Sequence, residues 1–159
     1  MGKEIEHKYL VINDSYKKAA TKKSEIVQGY LNSSPDRTVR VRKVDHRGFI
    51  TVKSRNIGAV RNEWEYEIPL VDAEEMLQLS ENTPIHKTRW IVSYRGFTWE
   101  VDEFHGTLSG LTIAEVELPD ENTIPPTPPF AGTNVTDDAR YYNSNLSNTG
   151  LETSSKKIT

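Results

Sequence analysis

Charged residues two positions apart recur along the sequence, and such pairs could bind a polyanion together with a metal ion. The first group is Glu4-Ile5-Glu6-His7-Lys8, near the start of the chain. The others are Arg40-Val41-Arg42, Thr51-Val52-Lys53, Glu63-Trp64-Glu65, Lys87-Thr88-Arg89, Glu100-Val101-Asp102 and Glu115-Val116-Glu117. Alternate residues of a β-strand point to the same side, so each pair places two polar groups on one face. Cations on such a face could bind phosphate, and carboxylates could bind a hard metal ion.

Both signs of charge occur on these faces. The acids are Glu4, Glu6, Glu63, Glu65, Glu100, Asp102, Glu115 and Glu117, and the bases are Lys8, Arg40, Arg42, Lys53, Lys87 and Arg89, with Arg61 a further base by parity. Unpaired buried charges are too costly to keep, so buried acids require paired bases or metal ions. Because the chain has no Cys and only 4 His, its oxygen ligands favour Mg²⁺ or Mn²⁺ over zinc. The pattern predicts a metal-assisted phosphate site inside a barrel.

A second interpretation treats the pattern as solvated strand faces with cross-strand ion pairs. For a single pair such as Glu100 and Asp102, this interpretation is the better one. It weakens for like-charged doublets such as Glu4 and Glu6, because two acids repel along a surface with no gain. Seven segments of this kind favour a sheet curled so that its charged face lines a cavity.

Eight strand-like segments carry the pairs. They are residues 3–10, 25–31, 37–44, 48–54, 61–70, 87–95, 98–105 and 112–118. Eight strands are about what a closed barrel needs to enclose one small ligand. The fold class is therefore mainly β (α+β), an eight-stranded antiparallel closed barrel with a few surface helices.

Three helices are expected around the barrel. One covers residues 14–23, and a second begins at Asp72, which Glu75 follows as in a capping box. The third begins with Thr136 as its N-cap and runs to about residue 146. Of Tyr141 and Tyr142, one is expected to plug the tunnel mouth and the other to pack, and the sequence leaves the choice open.

Length and composition indicate one ordinary domain. At 159 residues the chain can bury one good core but not two. We expect a single domain over residues 1–149 and a mobile tail over residues 150–159. With a net charge of −3, no basic excess exists to release counterions, so neither nucleic acid nor an anionic membrane is an expected partner.

The same composition bears on location and on partners. No apolar run approaches the ~18 residues of a transmembrane helix, and the N-terminus does not resemble a secretory signal. The expected location is the cytoplasm, and the expected partner is a small polyanionic substrate. A homodimer is left open.

The charged motifs, taken in order, resemble the CYTH, or triphosphate tunnel metalloenzyme, superfamily. Glu4-Ile5-Glu6-His7-Lys8-Tyr9-Leu10 is similar to its N-terminal ExExK signature. The match continues through Gln28-Gly29-Tyr30-Leu31, Arg40-Val41-Arg42, Thr51-Val52-Lys53-Ser54, Arg61-Asn62-Glu63-Trp64-Glu65, Lys87-Thr88-Arg89-Trp90, the segment from Trp99 to Gly106, Ala114-Glu115-Val116-Glu117-Leu118 and Val135-Thr136-Asp137-Asp138. It covers residues 2–147 and is most similar to the short bacterial members with a single domain.

This resemblance implies an antiparallel tunnel that binds triphosphate and hydrolyses or transfers it with a divalent metal. The expected metal ligands are Glu4 and Glu6, with Glu115 and Glu117 across the tunnel, and Asp102. The expected phosphate-binding residues are Lys8, Arg40, Arg42, Lys53, Lys87 and Arg89. Catalytic roles are expected for Lys8, Lys87, Glu63 and Glu65. For Glu63, Glu65 and Asp102, the sequence does not decide between a second ion, the positioning of water and the holding of the bases.

The sequence offers less evidence for the choice of substrate than for the fold and the charged site. The superfamily resemblance allows hydrolysis of inorganic triphosphate, thiamine triphosphate or nucleoside triphosphates, and adenylyl cyclisation. No clear aromatic or amide cluster on inward positions could stack a ring, so we expect hydrolysis of inorganic triphosphate to pyrophosphate and phosphate. A non-catalytic polyphosphate- or nucleotide-binding module is the further alternative, but such a module gains nothing from eight carboxylates.

The four histidines are assigned no part in the site. His7 and His86 are out of phase with the inward charges, while His46 and His105 stand alone in the sequence. None has a metal-ligand partner at a useful spacing, so surface or structural roles are expected for all four.

Overall fold

The computed structural model describes residues 2–143, 145 and 146, and within them eight antiparallel strands close into a barrel. The strands are β1 (Gly2–Val11), β2 (Lys22–Asn32), β3 (Arg37–Val44), β4 (Arg47–Ser54), β5 (Val60–Ile68), β6 (Ile85–Tyr94), β7 (Phe97–Phe104) and β8 (Thr112–Glu117). Their order is β5-β4-β3-β2-β6-β7-β8-β1, and pairing between β1 and β5 closes the ring. The predicted barrel is confirmed, and the expected strand ends lie within three residues of the observed ones.

Strand β1 is divided between two neighbours. Its first half, Gly2–Ile5, pairs with Val60–Glu63 of β5, and its second half, Glu6–Leu10, pairs with Ile113–Glu117 of β8. A ninth strand, β9 (Ala131–Asn134), adds to the outer part of β1 and was not expected. Four residues that follow a proline-rich loop are too short to show an alternating pattern.

The helices are shorter than expected. Helix α1 is Tyr16–Ala19, because β2 already begins at residue 22. Helix α2 is Leu70–Leu77, with Pro69 as an N-cap that makes no side-chain hydrogen bond. The expected capping box at Asp72 is therefore wrong: Asp72 lies inside the first turn, where its charge favours the positive end of the helix. No helix among the described residues has the length and apolar character of a membrane crossing.

The C-terminal helix also differs from expectation. The structure has a 3₁₀ turn at Ala139–Tyr141, and positions 143, 145 and 146 are helical. Asp138, rather than Thr136, caps the turn by accepting a hydrogen bond from the backbone N–H of Arg140 at 3.1 Å. Thr136 instead accepts one from the backbone N–H of Lys8. The tail expected over residues 150–159 lies outside the described residues.

The main hydrophobic core lies on the outside of the barrel wall. Trp99 on β7 is fully buried, with its ring 5.3 Å from that of Tyr9 and 6.1 Å from that of Phe130. Phe130, from the segment before β9, and Tyr16 of α1 cover this face. Because these apolar residues alternate with the charged ones, packing the outer face leaves the charges pointing into the barrel.

A second apolar cluster fills one end of the barrel interior. Phe104 and Ile113 lie two positions beyond inward-facing charged residues on their strands, and they pack with Tyr141 and Leu146 of the C-terminal segment. Leu10 of β1 packs against the same cluster. The C-terminal segment thus closes this end of the barrel with apolar side chains.

Candidate active site

A cavity of about 170 Å³ occupies the barrel interior. Among the described residues, seven carboxylates and six cations line it. These are Glu4, Glu6, Glu63, Glu65, Glu100, Glu115 and Glu117, with Lys8, Arg40, Arg42, Lys53, Arg61 and Arg89. All of them lie at the inward positions that the alternation predicted. The structure therefore brings together every expected site residue except Lys87 and Asp102, which point into the barrel but are buried deeper, beside the apolar cluster at its end.

The acids of β1 and β8 are neighbours in the sheet. Glu6 and Glu117 are register partners, and the next inward partner of β8 is Glu115, opposite Lys8. The expectation that the β8 acids lie across the tunnel from Glu4 and Glu6 is wrong. Strand β8 is hydrogen-bonded to β1, and this places the two doublets side by side on one wall.

For three of these acids, the nearby positive charge does not offset burial and the neighbouring carboxylates. Burial raises the pKa of Glu6 well above its usual range, and the carboxylates of Glu115 and Glu4 act in the same direction. Burial and the Glu4 carboxylate also raise the pKa of Glu63 and of Glu117. A group of crowded carboxylates with excess negative charge fits a hard divalent cation, which binds oxygen ligands at about 2.0–2.6 Å.

Two other acids are firmly paired with lysines. Lys53 Nζ donates to both Glu4 oxygens at 3.0 and 3.2 Å, and Lys8 Nζ lies 3.0 Å from Glu115 Oε2. Burial acts to raise the pKa of Glu4, but the Lys53 ammonium outweighs it and the pKa lies below its usual value. Burial is likewise outweighed at Glu115, where Lys8 and Arg89 hold the pKa well below its usual value. These two carboxylates are therefore ionised and fix the lysines that face the cavity.

Two arginines on β3 share one carboxylate. Arg42 Nη2 donates to both Glu65 oxygens at 3.1 and 3.4 Å, and Arg40 Nη2 lies 3.5 Å from Glu65 Oε2. The Thr51 hydroxyl donates to the same carboxylate at 2.8 Å. Burial lowers the pKa of Arg42 to about 10, and the guanidiniums of Arg40 and Arg89 act in the same direction. Adjacent guanidiniums that share one acid retain positive charge for an anion.

Lys87, Asp102 and Arg89 form a buried triad at the wall. Arg89 Nε and Nη2 donate to the two oxygens of Asp102 at 2.8 and 2.9 Å, and Lys87 Nζ lies 2.8 Å from Asp102 Oδ2. Burial lowers the pKa of Lys87 to about 8, although the Asp102 carboxylate favours its charged form. Of the roles left open for Asp102, the geometry favours the holding of bases. Neither Lys87 nor Asp102 reaches the cavity surface.

Several lining residues were missed by sequence reasoning. Tyr30 and Thr38 line the cavity from strands and could have been found, because they share the inward parity of Gln28 and Arg40. Residues outside the strands also contribute to the lining, and no periodic pattern marks them. They are Asn56, Gly58, Thr136, Tyr142 and Asn143.

The two tyrosines of the C-terminal segment take different roles. Tyr142 lines the cavity and its hydroxyl accepts a hydrogen bond from Asn56 Nδ2 at 3.2 Å, whereas Tyr141 is buried in the apolar cluster. The structure therefore assigns the packing role to Tyr141 and the position at the cavity to Tyr142. Aromatic rings and amides do lie at the cavity after all: Tyr30 on β2, and Tyr142, Asn56 and Asn143 outside the strands.

Comparison with known proteins agrees with the fold and the charged lining. The sequence profile of the CYTH domain matches residues 2–147. An inorganic triphosphatase of Acetivibrio thermocellus is 50% identical over 147 residues, which cover 92% of this chain and 94% of that protein. One from Nitrosomonas europaea is 34% identical over 149 residues, covering 90% and 95%. The crystal structure of the inorganic triphosphatase NE1496 superimposes with a TM-score of 0.64 at 33% identity, covering 92% of this chain and 95% of that one.

Proposed function

The chain belongs to the CYTH domain family, and we propose that it is an inorganic triphosphatase. It hydrolyses inorganic triphosphate to pyrophosphate and phosphate inside the barrel, with the help of a divalent metal ion. The observation that carries this function is the presence, in one small cavity, of crowded carboxylates and of guanidiniums, two of which share a single acid. A site that only binds a polyanion would need the guanidiniums but not the crowded carboxylates.

The metal site of this proposal consists of the acids with raised pKa values. Glu6, Glu117 and Glu63 would hold the ion, and Glu4 and Glu115, whose carboxylates interact with theirs, would complete the set when they exchange their lysine partners. An all-oxygen donor set suits Mg²⁺ or Mn²⁺. When bound, such an ion neutralises phosphate charge and makes water a better nucleophile at neutral pH.

The basic side chains bind and orient the phosphate chain. Arg40 and Arg42 can each donate two hydrogen bonds to phosphate oxygens, and Lys8 and Lys53 add point charges nearby. Glu65 keeps the two guanidiniums in place before the substrate enters. Because phosphoryl transfer depends mainly on positioning and charge neutralisation, no nucleophilic side chain is needed.

Lys87 and Asp102 act from the buried interior beyond the cavity surface in this proposal. Asp102 holds Arg89 by two hydrogen bonds, so that its remaining Nη1 can face the phosphate side near Glu100. Lys87 adds positive potential to the same wall without touching the substrate. Both are therefore positioning residues rather than catalytic ones, and Lys8, Glu63 and Glu65 are the catalytic candidates that reach the cavity.

The size and polarity of the cavity favour a small substrate. A volume of about 170 Å³ lies below the range of about 300–1,000 Å³ that is common for drug-sized ligands. An organic triphosphate is the second candidate, and Asn56 with Tyr142 at the cavity is the observation that favours it. A ring at this position would have to displace their mutual hydrogen bond.

The test is a side-by-side assay of inorganic triphosphate, ATP and thiamine triphosphate with Mg²⁺ and with Mn²⁺. We expect the highest kcat/KM for inorganic triphosphate and no turnover when both metals are removed by chelation. Glu117→Gln should lower kcat by about tenfold or more, because it removes a metal ligand, whereas the exposed matched variant Glu75→Gln should leave kcat unchanged.

Other outcomes of this assay would contradict the proposed substrate or the proposed activity. A higher kcat/KM for ATP or thiamine triphosphate, or formation of cyclic AMP, would replace the proposed substrate. Binding of triphosphate without any release of phosphate would identify a binding module. The single domain over residues 1–149, the cytoplasmic location and the absence of a nucleic-acid partner stay predictions, and a homodimer stays open.

A further inference from the structure

Two histidines and a glutamate meet on the outer face of the barrel. Glu25 lies on β2, His86 on β6 and His105 directly after β7. His86 Nε2 is 3.2 Å from Glu25 Oε1, and the three potential ligand atoms all lie within 4.8 Å of one another. The expectation that no histidine has a metal-ligand partner is therefore wrong, since the sheet brings together residues that are far apart in sequence.

This cluster is separate from the charged cavity. His86 and Thr88 alternate on β6 with Lys87 and Arg89, which face inward, so the cluster lies on the opposite side of the wall. None of its three members lines the cavity. Its chemistry differs as well, because two imidazoles and one carboxylate suit a borderline transition metal such as Zn²⁺, whereas the cavity offers carboxylates and no imidazole.

The distances are compatible with tetrahedral coordination. With bonds of about 2.0–2.1 Å, neighbouring ligand atoms of a tetrahedral zinc site are about 3.3 Å apart. The pair formed by His86 Nε2 and Glu25 Oε1 already has this separation. The side chains of Glu25 and His86 are 51% and 52% exposed, so they can rotate by the small amount that a metal requires.

A neighbouring hydroxyl supports the carboxylate of the cluster. Thr88 Oγ1 lies 3.1 and 3.0 Å from the two oxygens of Glu25 and 2.7 Å from His105 Nε2. The backbone also ties the two histidines together, because the N–H of His105 donates to the carbonyl of His86 at 3.0 Å. Hydrogen bonds from outer groups to ligating side chains are a regular feature of metal sites in proteins.

We propose that Glu25, His86 and His105 form a Zn²⁺ site on the outside of the barrel, with water in the fourth position. The ion joins β2, β6 and the segment after β7, and it takes no part in the hydrolysis of triphosphate. Its effect is on stability, because a ligand that binds only the folded chain shifts the unfolding equilibrium toward the folded state.

The experiment measures Zn²⁺ binding by calorimetry in a large excess of Mg²⁺, which occupies the all-oxygen cavity. We expect one equivalent of Zn²⁺ to bind to the wild type and to raise its Tm. His86→Ala and Glu25→Gln should weaken binding by more than about tenfold, since loss of even an outer partner of a metal ligand costs roughly 10–100-fold. His46→Ala, which removes an exposed histidine that is not part of the cluster, should bind as the wild type does.

A second measurement keeps the test valid if a variant folds poorly. The ring resonances of His86 and His105 in the wild type should shift when Zn²⁺ is added, and those of His7 and His46 should not. The proposal is overturned if the wild type binds no Zn²⁺ in the presence of Mg²⁺. It is also overturned if a folded His86→Ala variant retains full affinity while Glu6→Gln loses it, because the ion would then belong to the cavity.

Discussion

Replacement of Lys87 by methionine should change how stability depends on pH. The Lys87 side chain is fully buried, and burial lowers its pKa from 10.5 to about 8. A shift of this size corresponds to about 3 kcal/mol that the charged form costs in the folded state at neutral pH. Methionine has a similar length and no charge, and Asp102 keeps its two hydrogen bonds from Arg89 in the variant.

The sign of the effect follows from proton binding. Below about pH 8, Lys87 is protonated in both the folded and the unfolded chain, so its cost is fully present. Between about pH 8 and 10.5, only the unfolded chain keeps the proton, so wild-type stability rises relative to the variant. From about pH 7 to pH 10, we expect a relative gain of about 2–3 kcal/mol for the wild type.

The assay is urea unfolding of the wild type and Lys87→Met at both pH values. Lys43→Met, which removes a partly exposed lysine, serves as the reference for the loss of one ammonium group. A difference between Lys87→Met and this reference that does not change with pH would refute the reasoning.

Three further predictions concern the substrate site and the packing. Arg42→Gln should raise KM for triphosphate by roughly tenfold or more, because a hydrogen bond to a charged group contributes about 1.5–3 kcal/mol. Arg47→Gln at the exposed surface is its control, and an equal KM for both variants would contradict the assignment of Arg42 to phosphate binding. Trp99→Leu should lower the free energy of unfolding by about 3 kcal/mol, since it opens a cavity in the outer core; a loss below about 1 kcal/mol in urea unfolding would contradict this packing. Gly48→Ala should lower it by about 1–3 kcal/mol, because the new Cβ would lie 2.6 Å from Ala73 Cβ of α2; an unchanged urea midpoint would contradict that contact.

The direction of each strand side chain could be predicted from sequence, because alternation is a property of the strand itself. Glu63 and Arg89 belong to different strands, yet both were assigned to the interior from parity alone, and both line the cavity. The fold class followed from the same periodicity. The resemblance of the ordered motifs to a known family then supplied the reaction.

Strand neighbours and loops could not be predicted in this way. Alternation does not show which strands are adjacent, so the acids of β8 were expected across the tunnel from Glu4 rather than beside it. For the same reason, the approach of Glu25 to His86 on β6 remained hidden. Tyr142 reaches the cavity from a segment without regular structure, where a side chain's direction depends on the complete tertiary fold.

The division of β1 between β5 and β8 has a consequence for how the protein is made. Glu6 leaves the ribosome early, but its register partner Glu117 is synthesised near the end of the barrel. Until then, the N-terminal strand has no neighbour on that side, and its exposed edge can pair with other chains. Pairing between segments so distant in sequence is also slow, because the entropy of closing a long loop is lost before the contact forms. The part of the barrel wall that carries the acids of β1 and β8 is therefore completed late. A nascent chain cannot assemble it before translation passes residue 117.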